Sequence, residues 1–167
     1  TPIPAKFLLE ESSRCKTCKT HFNPNKEVKT IKCVLMRAFH AEEKELEVQV
    51  CQECLKSRLN RHYLPYIGPD LSEFGVFNWS NKILFEHRLL DHYTLFVAKL
   101  PATFSGFAAI VSQYYIDSGS VEPFPCATTF IAAWFSFRKL QDITTGQCPS
   151  CGLSPEIAVF DGTSLAY

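Results

Sequence analysis

The fold of this chain is decided by residues 15–54, which read CKTCKTHFNPNKEVKTIKCVLMRAFHAEEKELEVQVCQEC. The stretch begins and ends with cysteine pairs that have two residues between them, Cys15/Cys18 and Cys51/Cys54. A turn of this length points both sulfurs at one centre, where a zinc ion takes thiolate ligands about 2.3 Å away. We therefore predict that these four cysteines bind one structural zinc ion, in a closed shell that folds the chain rather than catalyses a reaction.

The residues between and after these pairs predict a hairpin and a helix. Residues 27–39 and 44–50 are rich in β-forming residues, and apolar and polar residues alternate at the end of the second segment. Residues 40–43 are the natural turn between them. Residues 55–63 carry apolar residues on one helical face. A cysteine knuckle, a hairpin and a second knuckle that opens a helix are typical of a treble-clef or ribbon-like zinc module.

The composition excludes several other classes of protein. The 167 residues are 46% hydrophobic, with 17 basic and 17 acidic side chains, so the chain is neither disordered nor uniformly basic. The longest uncharged run, residues 100–116, is shorter than a membrane-spanning helix and contains polar and proline interruptions, so we expect no membrane partner. No signal-peptide pattern supports a secreted disulfide framework. Because the sequence starts without methionine, we interpret it as a piece of a longer intracellular chain.

A third pair, Cys148/Cys151, predicts a second zinc knuckle whose other ligands are less clear. Cys126 is the nearest unused thiol, and His87 or His92 can complete such a site across the fold. A thioredoxin-like redox role is disfavoured, because the glycine and proline that follow do not suit the helix that such a site needs.

Two further side chains near the first site are interpreted as non-ligands. His21 follows Cys18 closely and is able to replace a thiolate, but a surface histidine is the simpler interpretation. Cys33 falls inside a predicted strand, where a buried free thiol is expected.

The remainder of the chain predicts helices followed by a short hairpin. Residues 64–79 are rich in glycine and proline and indicate a linker or an irregular cover. Helices are predicted over residues 80–100, 103–116 and 125–140, and their aromatic stripes are interpreted as core. Ser80 or Asn78 is predicted to cap the first of these helices, and Thr103 the second. Residues 156–160 predict a buried strand that ends at Asp161-Gly162, with its partner in residues 163–167. The fold class is therefore α+β, divided into a zinc module (1–67), a helical region (68–146) and a knuckle with a strand (147–167).

Three segments of this sequence resemble a known family. They are residues 83–94 (ILFEHRLLDHYT), 128–137 (TTFIAAWFSF) and 148–167 (CPSCGLSPEIAVFDGTSLAY). They are similar to the cysteine-cluster region that precedes the catalytic core of Kyakuja-Dileera-Zisupton (KDZ) transposases and of host proteins derived from them. The resemblance implies a nuclear protein and an RNase H-like core that would begin near the last strand.

The resemblance implies roles for individual residues. The family's C-P-x-C knuckle falls on Cys148 and Cys151, and its metal-binding catalytic aspartate falls on Asp161. Two-metal phosphoryl transfer needs several carboxylates, and Asp161 alone does not supply them. We therefore expect this fragment not to be an enzyme by itself and to use no small-molecule substrate.

The distribution of charge indicates which partners the chain has. Residues 1–67 hold 12 Lys/Arg and 8 Asp/Glu, a net of +4, whereas residues 68–167 hold 5 and 9, a net of −4. A basic zinc module suits contacts to DNA phosphates, although a solvated face explains the charge as well, and a protein-interaction scaffold is the alternative. The predicted nucleic-acid contacts are Lys29, Lys32, Arg37, Lys56, Arg58 and Arg61.

Overall fold

A computed structural model describes residues 2–15, 17–56, 66–100, 103–141, 159–160 and 165–166. The architecture is α+β, as predicted. The strands are β1 (Lys6–Phe7), β2 (Arg14–Cys15), β3 (Lys29–Met36), β4 (Ala41–Val50), β5 (Tyr66–Gly68), β6 (Val76–Asn78), β7 (Ile83–Glu86), β8 (Val159–Phe160) and β9 (Leu165–Ala166). The helices are α1 (Gln52–Lys56), α2 (His87–Lys99), α3 (Phe104–Asp117) and α4 (Ala127–Leu140).

The predicted hairpin forms the centre of the sheet. Strands β3 and β4 pair antiparallel from Lys29 opposite Val48 to Met36 opposite Ala41. Their alternating apolar side chains face one side, where Leu46 and Val48 pack with Phe7 and Leu84 in a fully buried cluster. The turn occupies residues 37–40, slightly earlier than the sequence predicts, because β4 already begins at residue 41.

Five further strands extend this hairpin into one seven-stranded sheet, in which six strands have the order β2-β5-β4-β3-β7-β6 and β1 lies off this path. Strand β1 pairs parallel with the middle of β4, and β5 pairs antiparallel with the end of β4. At the outer side of β5, β2 adds a two-residue strand that carries Cys15. Through β5, the sheet therefore connects the first cysteine knuckle to the strand that precedes the second.

The first predicted helix starts later than the sequence indicates. Residues 83–86 are the strand β7, and α2 begins only at His87. Strand β7 pairs parallel with β3, and Leu84 and Phe85 are both fully buried, one on each side of the sheet. A short apolar run of this kind fits a strand as well as a helix, so its spacing did not distinguish the two.

Residues 64–79 are also more regular than a linker. The described part of this segment contains β5, a 3-10 turn at Ser72–Phe74 and β6. Asn78 and Ser80 do not cap a helix; their side-chain oxygens accept hydrogen bonds from the backbone of Asn81 and Ile83 in the turn between β6 and β7. The prediction of a linker was therefore wrong, and the segment adds two strands to the sheet.

The two later helices agree closely with their predicted bounds. The Thr103 side chain accepts a hydrogen bond from the backbone N–H of Gly106 and caps α3, as the sequence indicates. Phe107, Phe130 and Phe137 are buried in the cluster that joins the helices to β7, so these aromatic side chains form core. Within the described part of the chain, no helix has both the length and the apolar character needed to cross a membrane.

The predicted terminal hairpin is confirmed in its pairing, since β8 and β9 run antiparallel with Val159 opposite Ala166. Helix α1 covers residues 52–56, whereas the rest of the predicted helix over residues 55–63 lies outside the described residues. The three domain boundaries stay predictions, although the sheet contains strands from both sides of residue 67.

Candidate metal centre

The first knuckle is a tight turn at the end of β2. The backbone N–H of Cys15 donates to the carbonyl of Thr20, and the N–H of Lys19 donates back to the carbonyl of Cys15. Lys19 has a φ of 62°, a left-handed conformation that folds the chain sharply after Cys18. Arg14 forms an isolated antiparallel bridge with His21. The turn therefore holds the two sulfurs on one side of the chain.

The second knuckle joins the end of β4 to helix α1. The N–H of Leu55 donates to the carbonyl of Cys51 at 3.1 Å, so the helix begins at the knuckle itself. Strand β5 lies between β2 and β4, with Ile67 opposite both Cys15 and Gln49. Cys15, Cys51 and Ile67 are buried together in a small apolar cluster. Sheet pairing thus brings the two knuckles together across 36 residues of sequence.

The four thiols have the spacing of a tetrahedral metal site. Their sulfur atoms all lie within 4.8 Å of one another, with Cys15 to Cys54 at 3.7 Å and Cys18 to Cys51 at 3.4 Å. Four sulfurs placed 2.3 Å from a central zinc ion would be about 3.8 Å apart, whereas a disulfide bond is only about 2.05 Å long. The arrangement therefore fits a metal ion and does not fit two disulfides.

The electrostatics of the cluster favour a bound cation. A hydrogen bond from the Thr20 hydroxyl to the Cys18 sulfur, 3.0 Å away, lowers the pKa of Cys18 to about 6. The neighbouring Cys18 sulfur raises the pKa of Cys54 to about 12, and burial raises the pKa of Cys51. Without a cation, these effects oppose one another, because they favour ionisation of Cys18 and disfavour ionisation of Cys51 and Cys54. A divalent cation removes this conflict, because it attracts all four sulfurs as thiolates.

A shallow groove of about 550 Å³ lies beside the second knuckle. Lys26, Lys29 and Lys56 line it, together with the amide side chains of Gln49 and Gln52. Lys56 has a neighbouring carboxylate, Glu53, at 3.3 Å, but both side chains are more than half exposed, so this pair is weak. Glu27 also lines the groove, so its lining holds three lysines against one carboxylate, next to the second knuckle.

Gln49 is the side chain that shapes this groove, and it was not among the residues predicted from the sequence. It is 3% exposed, and its amide makes hydrogen bonds to the backbone N–H and carbonyl of Asn23 and to the carbonyl of Lys26. These bonds fix the loop that carries Lys26 against the end of β4. Its only signal in the sequence is a glutamine two residues before a cysteine knuckle, which is too common to be diagnostic.

The guanidinium of Arg37, a predicted phosphate contact, is paired with two carboxylates of the chain itself. Its guanidinium lies 2.6 Å from the carboxylate of Glu42 and 3.3 Å from that of Glu86, which connects the hairpin turn to the start of α2. Lys29 and Lys32, in contrast, are exposed along β3. Among the predicted phosphate contacts, Arg37 is the weaker candidate because its charge is already paired.

The other predicted site residues are placed as follows. His21 is exposed and is not part of the sulfur cluster, and Cys33 is a buried free thiol, as expected. Cys126 is exposed at the start of α4, where a hydrogen bond from Thr129 lowers the pKa of its thiol. Within the described residues it belongs to no further group of three or more metal-ligating side chains. The predicted sites at Cys148, Cys151, Asp161, Arg58 and Arg61 lie outside the described residues.

A comparison with protein families agrees with this arrangement. The matching family model is described as a CxC4-like cysteine cluster associated with KDZ transposases, and it covers residues 1–137. That range includes both knuckles of the centre and the whole seven-stranded sheet. The description assigns no catalytic step to the cluster.

The match confirms the resemblance to the KDZ cysteine-cluster region, although residues 148–167, which also supported it, lie beyond the matched range. No curated protein and no solved structure matches the chain. Since the family model spans most of the sequence, this chain belongs to the CxC4-like cysteine-cluster family associated with KDZ transposases.

Proposed function

We propose that this chain is a zinc-stabilised module of a transposase-like nuclear protein that associates with DNA and that contributes structure rather than catalysis. The observation that carries the proposal is the lysine-lined groove beside a cluster of four thiols. The association of the family with transposases supports the choice of DNA, because those enzymes act on DNA.

Zinc is the proposed metal because of the ligand set. Four thiolates are a soft donor set, which zinc accepts in the tetrahedral arrangement that the sulfur spacing fits. Two knuckles, a hairpin between them and a helix that begins at the second knuckle support a treble-clef interpretation. A second zinc ion at Cys148 and Cys151, with Cys126 as a further ligand, stays a prediction.

Charge at the groove supports phosphate binding. Lys26, Lys29 and Lys56 lie around one depression, and the loop that carries Lys26 is held by the buried amide of Gln49. A fixed loop loses little conformational entropy when it binds. Less of the favourable interaction between Lys26 and a phosphate is therefore offset than for a lysine on a flexible loop. A four-thiolate zinc site would carry a formal charge of −2, and Glu27 also lines the groove, so the attraction for a phosphate would depend on all three lysines acting together.

Salt-dependent DNA binding tests this proposal. Affinity for a duplex DNA should fall steeply as salt rises, with a slope of about −0.9 for each phosphate contacted. Lys29→Gln and Lys56→Gln should each weaken binding and reduce that slope by about one contact. Lys82→Gln is the matched control, because Lys82 is also exposed but lies outside the groove.

Two results would contradict the proposal. The first is a failure of the zinc-loaded protein to bind duplex DNA even at low salt. The second is an equal loss of affinity in the control and in the groove variants, which would show a general effect of charge. Either result would favour the alternative that zinc scaffolds a surface for protein partners.

A further inference from the structure

Helix α3 has an outward face on which Asp117, at the carboxyl end, is the one charged residue, and the proposed DNA-binding function does not use it. From residue 100 to residue 116 the sequence contains no charged residue, although α3 lies at the surface. Ile110 and Tyr114, which share this face, are 44% and 43% exposed, whereas the exposed Ile116 lies about 120° around the helix from Ile110 and outside the face. Solvent-facing helix surfaces normally carry several charged side chains, so a face with a single charge at its end indicates contact with another apolar surface.

The outward face of α3 has small residues near its start and a large aromatic side chain near its end. Gly106 and Ala109 form a depression near the start of the helix, whereas Tyr114 forms a projection one turn after Ile110. The ring of Tyr114 packs against Phe39 of the hairpin turn, with ring centroids 5.3 Å apart, so the projection is held in place. Phe39 is itself 58% exposed and widens the apolar surface at that end.

We propose that this face binds a second copy of the chain, with the two α3 helices antiparallel about a two-fold axis at Ile110. In that arrangement residues 106 and 114 oppose each other, so Tyr114 of one copy lies over Gly106 of the other. The same pairing occurs twice because the interface is two-fold, and the surface is complementary to itself. A helix of 14 residues offers a contact about 21 Å long.

The charges at the ends of α3 agree with this pairing. Asp117 is the only charged residue of the helix and lies at its carboxyl end. Antiparallel pairing about Ile110 brings Asp117 of one copy to Thr103 of the other, at the start of its helix. The start of a helix is the positive end of its dipole, so the carboxylate meets a complementary charge at both ends of the interface. A parallel arrangement, in contrast, would place the two aspartates together.

Sedimentation velocity on the zinc-loaded protein tests the proposal. The interface is small, so we expect a monomer–dimer equilibrium in the micromolar range, visible between about 1 and 300 µM. Ile110→Glu should abolish dimers, because it places two carboxylates at the axis. Ile116→Glu is the matched control: it makes the same substitution on the same helix, about 120° away from Ile110, and should leave dimerisation intact.

A mixing experiment tests the two-fold axis itself. Ile110→Glu and Ile110→Lys proteins should each be monomeric alone and should form mixed dimers when combined, since the opposite charges then meet. Circular dichroism of each variant checks that the helices remain folded. A wild-type chain that stays monomeric over the whole concentration range overturns the proposal. Dimers that survive Ile110→Glu, or mixtures that stay monomeric, overturn it as well.

Discussion

At the scale of single residues, Glu42 is the carboxylate on which the hairpin turn depends. It accepts a hydrogen bond from Arg37 at 2.6 Å, and it also lies within ion-pair distance of Lys44 and His40. Partial burial opposes ionisation, but the hydrogen bonds outweigh it and lower the pKa of Glu42 to about 2. Since Arg37 also holds Glu86, this one carboxylate helps to fix the turn against the start of α2.

The lowered pKa predicts a pH-dependent contribution to stability. Its pKa is lower in the folded state, so ionised Glu42 stabilises the fold above about pH 4.5, and this contribution is lost as pH falls towards 2. Glu42→Gln should lower the free energy of unfolding by about 1–2 kcal/mol at pH 7 and by much less near pH 2.

Urea denaturation at several pH values measures this difference. Glu43→Gln is the control, because Glu43 is an exposed neighbour and, in the described part of the chain, has no ion pair. A difference between wild type and Glu42→Gln that does not change with pH would contradict the role assigned to the charge.

At the scale of elements, helix α3 begins at a residue whose side chain completes its first turn. Thr103 caps the helix by accepting a hydrogen bond from Gly106 at 3.1 Å. A Cβ atom at position 106 would approach the Thr103 hydroxyl to 3.1 Å, so glycine also keeps that hydroxyl in place. Cap and glycine are three residues apart, which explains why the start of this helix was evident from local sequence.

Removal of the cap should shorten or weaken the helix. Thr103→Ala is expected to cost about 1 kcal/mol, because the backbone N–H of Gly106 in the first turn of the helix loses its hydrogen-bond partner. The melting temperature should fall by about 2–4 °C for a chain of this size. Thermal unfolding followed by circular dichroism measures this shift.

Two further substitutions show whether the shift comes from the hydrogen bond. Thr103→Ser keeps the hydroxyl and should melt close to the wild type. Ser105→Ala removes a hydroxyl from an exposed position in the same turn and should have little effect. Equal shifts for Thr103→Ala and Ser105→Ala would show that the cap is not the cause.

At the scale of the whole molecule, the metal centre stabilises one end of the sheet. Within the described residues, the cluster around the thiols has three buried members, Cys15, Cys51 and Ile67, with Leu9, Phe22 and Cys54 partly buried against them, whereas the helices and the hairpin have larger cores. Apolar burial around β2 and β5 is therefore small in the described residues, and we propose that a bound metal supplies the remaining free energy that holds these strands in place.

Removal of the metal should consequently unfold this end first. After chelation, hydrogen exchange should accelerate in residues 13–22 and 66–68 and in the second knuckle, whereas α3 and α4 should keep their protection. Cys51→Ala should reproduce the effect and lose the metal. Cys33→Ala is the matched control, because Cys33 is buried equally well but lies outside the cluster. Unchanged exchange after complete removal of the metal would contradict the structural role of the site.

Local patterns determined much of the fold in advance. The two-residue spacing of each cysteine pair, the alternation along β4 and the cap of α3 are properties of neighbouring residues, so the sequence by itself determined the knuckles, the hairpin and the last two helices. The four cysteines predicted as ligands do lie together in the structure, because ligand type and spacing are visible without knowledge of the fold.

Only the tertiary structure decided the features that depend on distant partners. Residues 83–86 are a strand because β3, nearly 50 residues earlier, offers them an open edge. Gln49 is buried because the loop at residues 23–26 supplies three hydrogen-bonding groups, and Arg37 is paired because folding brings Glu86 to it. Such contacts leave no periodic signal along the chain, since a residue's partner is set by how strands and helices pack rather than by its neighbours in sequence.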